Sequence, residues 1–372
     1  MAKLGDIATY INGYAFKPQD WSDEGIPIIR IQDLTGNSYQ ANRYNGEYAS
    51  KYEVNDGDVL ISWSASLGIY IWHGEKAVLN QHIFKVVFDK ERISKDFFVH
   101  QVGLILENAA SDAHGATMKH LTKPVFDALP FYLPPYERQC EIAEVLDKVC
   151  ELISLRKQQL AKLDKLVKAR FVEMFGDPVN NPMNYPKSQL GKVCDVRDGT
   201  HDSPEYYDVG YPLVTSKNVT GGKIDLSECN LISEDDYKKI CERSKVDRGD
   251  IIMPMIGTVG KPVIVNAEPM FAIKNVALIK FTPDSLVTNI YIKTLLESDY
   301  FDRAVLDKIR GGTQKFIALG DIRKLEIILP DLKHQQCFSA FVERVDQQKQ
   351  TVQQSLEKLE LMKKALMQEF FG

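Results

Sequence analysis

The chain has 372 residues, 44% of them hydrophobic and 26% charged, which suits two or three globular domains with cores of their own. No apolar run approaches the ~20 residues of a membrane span, and six scattered cysteines without a C-x-x-C argue against a disulfide framework or a zinc site. The net charge of -5 does not suggest a strongly basic nucleic-acid binder, but it leaves room for a local basic surface.

At the start, MAKLGDIATY carries an early acid and no apolar h-region, so a reducing cytoplasm is the expected location. Residues 1–136 are mixed and strand-rich, with the runs IPIIRI, DVLIS, IYIWH, IFKVVF and FYLP punctuated by Gly, Pro, Asn and Asp. A helix is expected near residues 94–108. The phrase LPPYERQ (residues 133–139) closes this region.

Residues 137–175 contain no Pro or Gly and predict a spacer helix. Its apolar positions step by four and three through Ile142, Leu146, Val149, Ile153, Leu160, Leu163, Val167 and Met174, a heptad seam interrupted by Arg156 and Arg170. Residues 176–189, GDPVNNPMNYPKSQ, read as a helix stop and a linker.

A second strand-rich region follows over residues 190–332, with DIIMPMI, PVIVN, VALIKF and LEIILP and one helix expected over 288–308. A second spacer helix is expected over 333–372. Its seam runs through Phe338, Val342, Val345, Val352, Leu356, Leu359, Leu366 and Phe370, with Lys349 and Lys363 as exceptions.

The second half therefore repeats the first. KLGDIATYINGYAF (residues 3–16) answers QLGKVCDVRDGTHD (189–202), and VNDGDVLISWSASLG (54–68) answers VDRGDIIMPMIGTVG (246–260). GATMKHL (115–121) answers GGTQKFI (311–317), and LPPYERQ returns 196 positions later as LPDLKHQ. Each long helix alone would leave its seam wet, so the two are expected to pair. A 14-residue linker reaches at most ~50 Å, short of the roughly 55 Å needed to return along the helix, so the pairing should be antiparallel.

LPPY matches three quarters of the motif with which amino-methyltransferases hold a base amino group. The missing quarter is the acceptor: Leu133 stands where Asn or Asp is needed, so the phrase reads as a strand end followed by a helix start. GTVGK (257–261) fails as a phosphate loop, because Met255 and Pro262 occupy the diagnostic places. His114 and His120 lack neighbouring ligands, and no metal site is expected there.

A binding constellation remains. Thr117 and Lys119 in one copy, and Thr313 and Lys315 in the other, pair a glycine turn with a hydroxyl and a cation suited to phosphate or base edges. Around them stand Arg30, Gln32, Ser62, Trp63, Ser64 and His82 in the first copy. The second offers Arg197, Thr200, His201, Ser216, Lys217, Asn218, Lys274 and Asn275. Asn and Gln suit adenine, and Arg and Lys suit guanine, in the major groove.

This ordered duplication resembles the DNA-specificity subunit of Type I restriction-modification systems over essentially the whole chain. The resemblance implies an α+β fold, with two mixed target recognition domains held apart by an antiparallel coiled coil and related by a pseudo-twofold axis. It implies double-stranded DNA as ligand, read as two half-sites with a fixed nonspecific gap. It also implies two modification subunits as partners, with two restriction subunits in a cleaving complex, in a bacterial or archaeal cytoplasm without membrane attachment. The chain itself would bind no cofactor: S-adenosylmethionine belongs with the modification subunits, and ATP and Mg with a restriction subunit. A stand-alone methyltransferase or nuclease, and a coiled-coil scaffold without a DNA role, are the competing expectations.

Overall fold

The computed structural model describes residues 1–36, 42–112, 122–256, 261–305 and 316–372. The chain forms two compact units, Met1–Lys157 with Gln354–Gly372, and Gln158–Gln353. Each unit holds one sheet domain and a paired segment of both long helices, so the division cuts through the helices.

The two domains share one plan. In the first unit an antiparallel sheet orders its strands Thr9–Asn12, Ile83–Val87, Val59–Ser62 and Gly68–Ile71. The second unit repeats this with Asp195–Asp198, Val276–Lys280, Ile251–Pro254 and Val263–Ile264. Beside each lies a parallel pair, Ile26–Ile29 with Ala77–Leu79 and Tyr211–Val214 with Ala272–Ile273. The strands fall on the β-branched runs because these suit a pleated surface buried on one or both faces.

The repeated G-D dipeptide has a structural cause. Asp58 accepts from Asn55 N at 2.9 Å and pairs with Lys85 at 3.0 Å. Asp250 likewise accepts from Asp247 N at 2.8 Å and pairs with Lys280 at 2.6 Å. The carboxylate closes the turn before a buried strand and is itself neutralised by a lysine from the neighbouring strand.

The long helices run Tyr136–Phe175 and Leu332–Phe371. In the first unit Arg138 lies over Phe370 at 5.6 Å, and Arg156 Nε donates to Ser355 Oγ at 3.1 Å. In the second, Phe171 meets Phe338 at 5.6 Å and Lys349 pairs with Asp164 at 2.7 Å. In both units one helix rises in number as its partner falls, which is antiparallel pairing. Three of the charged interruptions of the seam, Arg156, Lys349 and Arg170, whose guanidinium lies 5.8 Å over Phe341, thus find partners on the facing helix.

Ile142, Leu146, Val149, Val342, Val345, Val352 and Leu356 are buried along the seam, and Ile153, Leu160, Leu163, Val167, Leu359 and Leu366 are half-buried. Near the ends the seam shifts. Phe171 and Phe175 are buried rather than Met174, and Met367 rather than Phe370. There the helix packs on its sheet domain as well as on its partner, so the apolar stripe widens beyond a strict heptad. Phe171, Phe175 and Phe338 join Tyr291 and Phe301 in one core, while Ile142, Leu146 and Met367 join Phe97, Phe98 and Phe131 in the other.

Two expected elements differ. The helix near 94–108 extends over Lys95–Asp112. The single helix expected over 288–308 is two, Asn289–Leu296 and Asp299–Ala304. Ser298 breaks it, its hydroxyl donating back to Leu295 O at 2.6 Å while Asp299 opens the next turn. A further helix, Glu234–Ser244, starts on a Ser233 cap that accepts from Asp236 N at 3.1 Å.

Candidate nucleic-acid interface

At one end of each four-stranded sheet the first strand runs into a glycine and crosses the loop before the second. A Cβ on Gly13 would stand 2.0 Å from Asn80 O, and one on Gly199 would stand 2.3 Å from Ile273 O. Only glycine permits this backbone crossing. It is locked by Gly13 N donating to Ile83 O and by Gly199 N donating to Val276 O, both at 3.1 Å. The loop residue before each second strand, His82 or Asn275, has φ of 72° or 55°. These are the residue types that best tolerate left-handed backbone. The two candidates therefore occupy equivalent positions.

The side chains gathered at this crossing differ between copies. In the first, the Trp63 ring stacks on Phe84 at 5.6 Å and meets His82 edge-on at 5.0 Å. Trp63 Nε1 donates to Asn12 Oδ1 at 3.2 Å. Arg30 follows the strand whose Ile29 O accepts from Asn80 N, and its guanidinium lies 5.1 Å over Trp21. Gln32 is half-buried in the short helix Ile31–Leu34. Tyr14, next to Gly13, is 44% exposed.

In the second copy the crossing is charged. His201 faces Asn275 Oδ1 through Nδ1 and Asp198 Oδ2 through Nε2, both at 2.8 Å. Arg243 pairs with the other Asp198 oxygen. Hydrogen bonds to Asn275 and Asp198 hold the protonated ring and push the His201 pKa above the ordinary histidine value. Thr200 lies beside them, its hydroxyl accepting from Asp202 N. Ser216 Oγ donates to Asn275 O at 3.4 Å, Lys274 reaches Ser203 Oγ at 2.6 Å, and Lys217 is exposed.

Three candidates need correction. Ser62 is fully buried with its hydroxyl donating to Ser64 O, and Ser64 is buried beside it, so neither side chain lies on a ligand-facing surface. Asn218 is buried too, its Oδ1 accepting from Thr215 N and Oγ1 as a local cap. Arg197, its side chain 39% exposed, pairs with Asp195 and donates to Arg243 O. Thr117, Lys119, Thr313 and Lys315 lie outside the described residues. Sequence reasoning missed Asn12, Tyr14, Asn80, Asp198 and Arg243. The alignment of I-N-G-Y with R-D-G-T carried a signal for three of them, since it marks residues on either side of an obligatory glycine.

Tyr136, whose ring completed the apparent methyltransferase motif, is covered by the Arg92 guanidinium at 4.0 Å. No described helix is long and apolar enough to cross a membrane.

Residues 1–165 and 182–361 match the family described as Type I restriction modification DNA specificity domain. The EcoBI specificity subunit of Escherichia coli is 23% identical, over 92% of this chain and 78% of its own length. The MjaVIII specificity subunit of Methanocaldococcus jannaschii is 24% identical over 99% and 90%. Among solved structures, the Type I S subunit from M. genitalium superposes with a TM-score of 0.57 at 13% identity, covering 100% of this chain and 95% of that one. That likeness concerns the fold.

Proposed function

The chain belongs to the Type I restriction-modification DNA-specificity family, and we propose that it reads a bipartite double-stranded DNA target, one half-site per sheet domain, with a fixed nonspecific gap. One observation carries this reading: a single backbone plan is built twice and given different chemistry at equivalent places. Tyr14, Trp63 and His82 stand in one copy where Thr200, Met255 and Asn275 stand in the other. A scaffold repeated for stability alone has no need of divergent loop chemistry. A scaffold that reads two unrelated half-sites does.

Near each crossing, Arg30, Lys217 and Lys274 can neutralise phosphates and set position, while Gln32, Asn275 and His201 can address base edges. The chain performs no chemistry of its own on this reading. Leu133 cannot accept from a base amino group, and Tyr136 is occupied by Arg92. Two modification subunits would bring S-adenosylmethionine and methylate adenine. Restriction subunits, where they join, would bring ATP and Mg, all within a bacterial or archaeal cytoplasm. Overall acidity does not oppose this, since partner subunits can supply much of the phosphate contact.

Domain exchange tests the reading. Replacing residues 1–136 with the corresponding domain of a relative should change the bases methylated in one half-site and leave the other intact. If both half-sites change together, or neither does, the domains are not independent readers.

A further inference from the structure

We propose that Gln139 and Gln335 are positioning residues for DNA reading: each side-chain amide locks its recognition domain to the first turns of the adjoining long helix. Gln139 Oε1 accepts from Ser94 N at 2.9 Å, and its Nε2 donates to Pro134 O at 2.9 Å. Gln335 repeats both bonds, with Thr288 N at 2.9 Å and Pro330 O at 2.8 Å, and adds Leu286 O at 3.0 Å. The two residues are 1% and 0% exposed.

Each amide joins three segments. Ser94 and Thr288 immediately precede the domain helices Lys95–Asp112 and Asn289–Leu296, whose Phe97, Phe98, Tyr291 and Ile292 enter the cores behind the sheets. Pro134 and Pro330 are where the chain leaves the last strand. The glutamines themselves stand in the long helices. A carboxamide of this reach accepts from an N–H and donates to a carbonyl at once, without carrying charge. A carboxylate cannot donate, and asparagine is a methylene shorter. Burying a carboxamide is unfavourable without both bonds. A junction that needed only cohesion would be filled by leucine, yet both copies keep the polar clamp while the four residues before it, PYER and DLKH, share nothing.

The clamp fixes the angle at which each domain leaves its helix. Its role rests on the bipartite reading, because angle matters only where two half-sites must be met together. The experiment uses the full chain assembled with its modification subunits, and duplexes carrying both half-sites at the native gap or one base pair longer or shorter. The unsubstituted chain should favour the native gap. Gln139→Met and Gln335→Met should each lower the ratio of native-gap to altered-gap affinity by about tenfold, with base preference in both half-sites unchanged. Gln139→Asn and Gln335→Asn keep both donor and acceptor but fall a methylene short; they should fall between, and they carry the same comparison if the Met variants fail to fold. Equal weakening at every gap, with the ratio unchanged, would overturn the clamp. If the unsubstituted chain has no gap preference, it is the bipartite reading that fails.

Discussion

The first sheet domain packs aromatic rings at its glycine crossing, where Trp63 lies between Phe84 and His82. The second places a carboxylate, an imidazole and a guanidinium at the same crossing, with Asp198 between His201 and Arg243. The strand order, the glycine and the left-handed loop residue are common to both. What sustains the backbone is thus separate from what a ligand would meet. The glycine approach and the G-D turn are structural needs that any copy must keep. The side chains beside them are free to differ, provided their own polar atoms are satisfied.

That separation can be broken first at what the copies share. Gly13→Ala and Gly199→Ala should each destabilise their own domain by about 3 kcal/mol, because the added carbon meets backbone rather than a side chain that can move. Calorimetry should show similar losses for the two; a tolerated alanine in either domain would mean that the crossings are not equivalent.

Next come the differences. Trp63→Ala should cost the first domain roughly 2–3 kcal/mol, below the usual range for a fully buried Trp because this ring is only half-buried. The second domain has no ring there to lose. Asp198→Asn should cost less, about 1–2 kcal/mol, as two charge-assisted hydrogen bonds weaken. It should also return the His201 pKa toward the ordinary histidine value, which an NMR titration would follow.

The smallest effect is a pH dependence confined to the second domain. The His201 pKa is raised on folding, so its contribution is fully present below the unfolded value and is lost as pH rises through the folded one. The side chain is 60% exposed, and solvent screening keeps the effect under about 1 kcal/mol. Denaturant midpoints of the parent and His201→Ala chains should converge as pH rises from 5 to 8.

Much of this protein was legible because its signals are local. Heptad steps from Ile142 to Val167 marked a helix that the structure bounds at Tyr136–Phe175, since periodicity alone decides which face of a helix is apolar. The ordered repeat was equally plain, and with it came the resemblance to the family. The break at Ser298 was written in the sequence too, in a Ser-Asp helix start inside an apolar run.

Tertiary structure alone decided the rest. Nothing local distinguishes Ser62, fully buried, from a serine at a ligand surface, because burial depends on strands distant in sequence. Asp198 and Arg243 meet across 45 residues, and Gln139 reaches Ser94 across the same separation. The L-P-x-x-x-x-Q phrase showed by itself that a junction recurs. Only packing showed that its glutamine is the working part, since a buried carboxamide is explained by the N–H and the carbonyl that the fold brings to it.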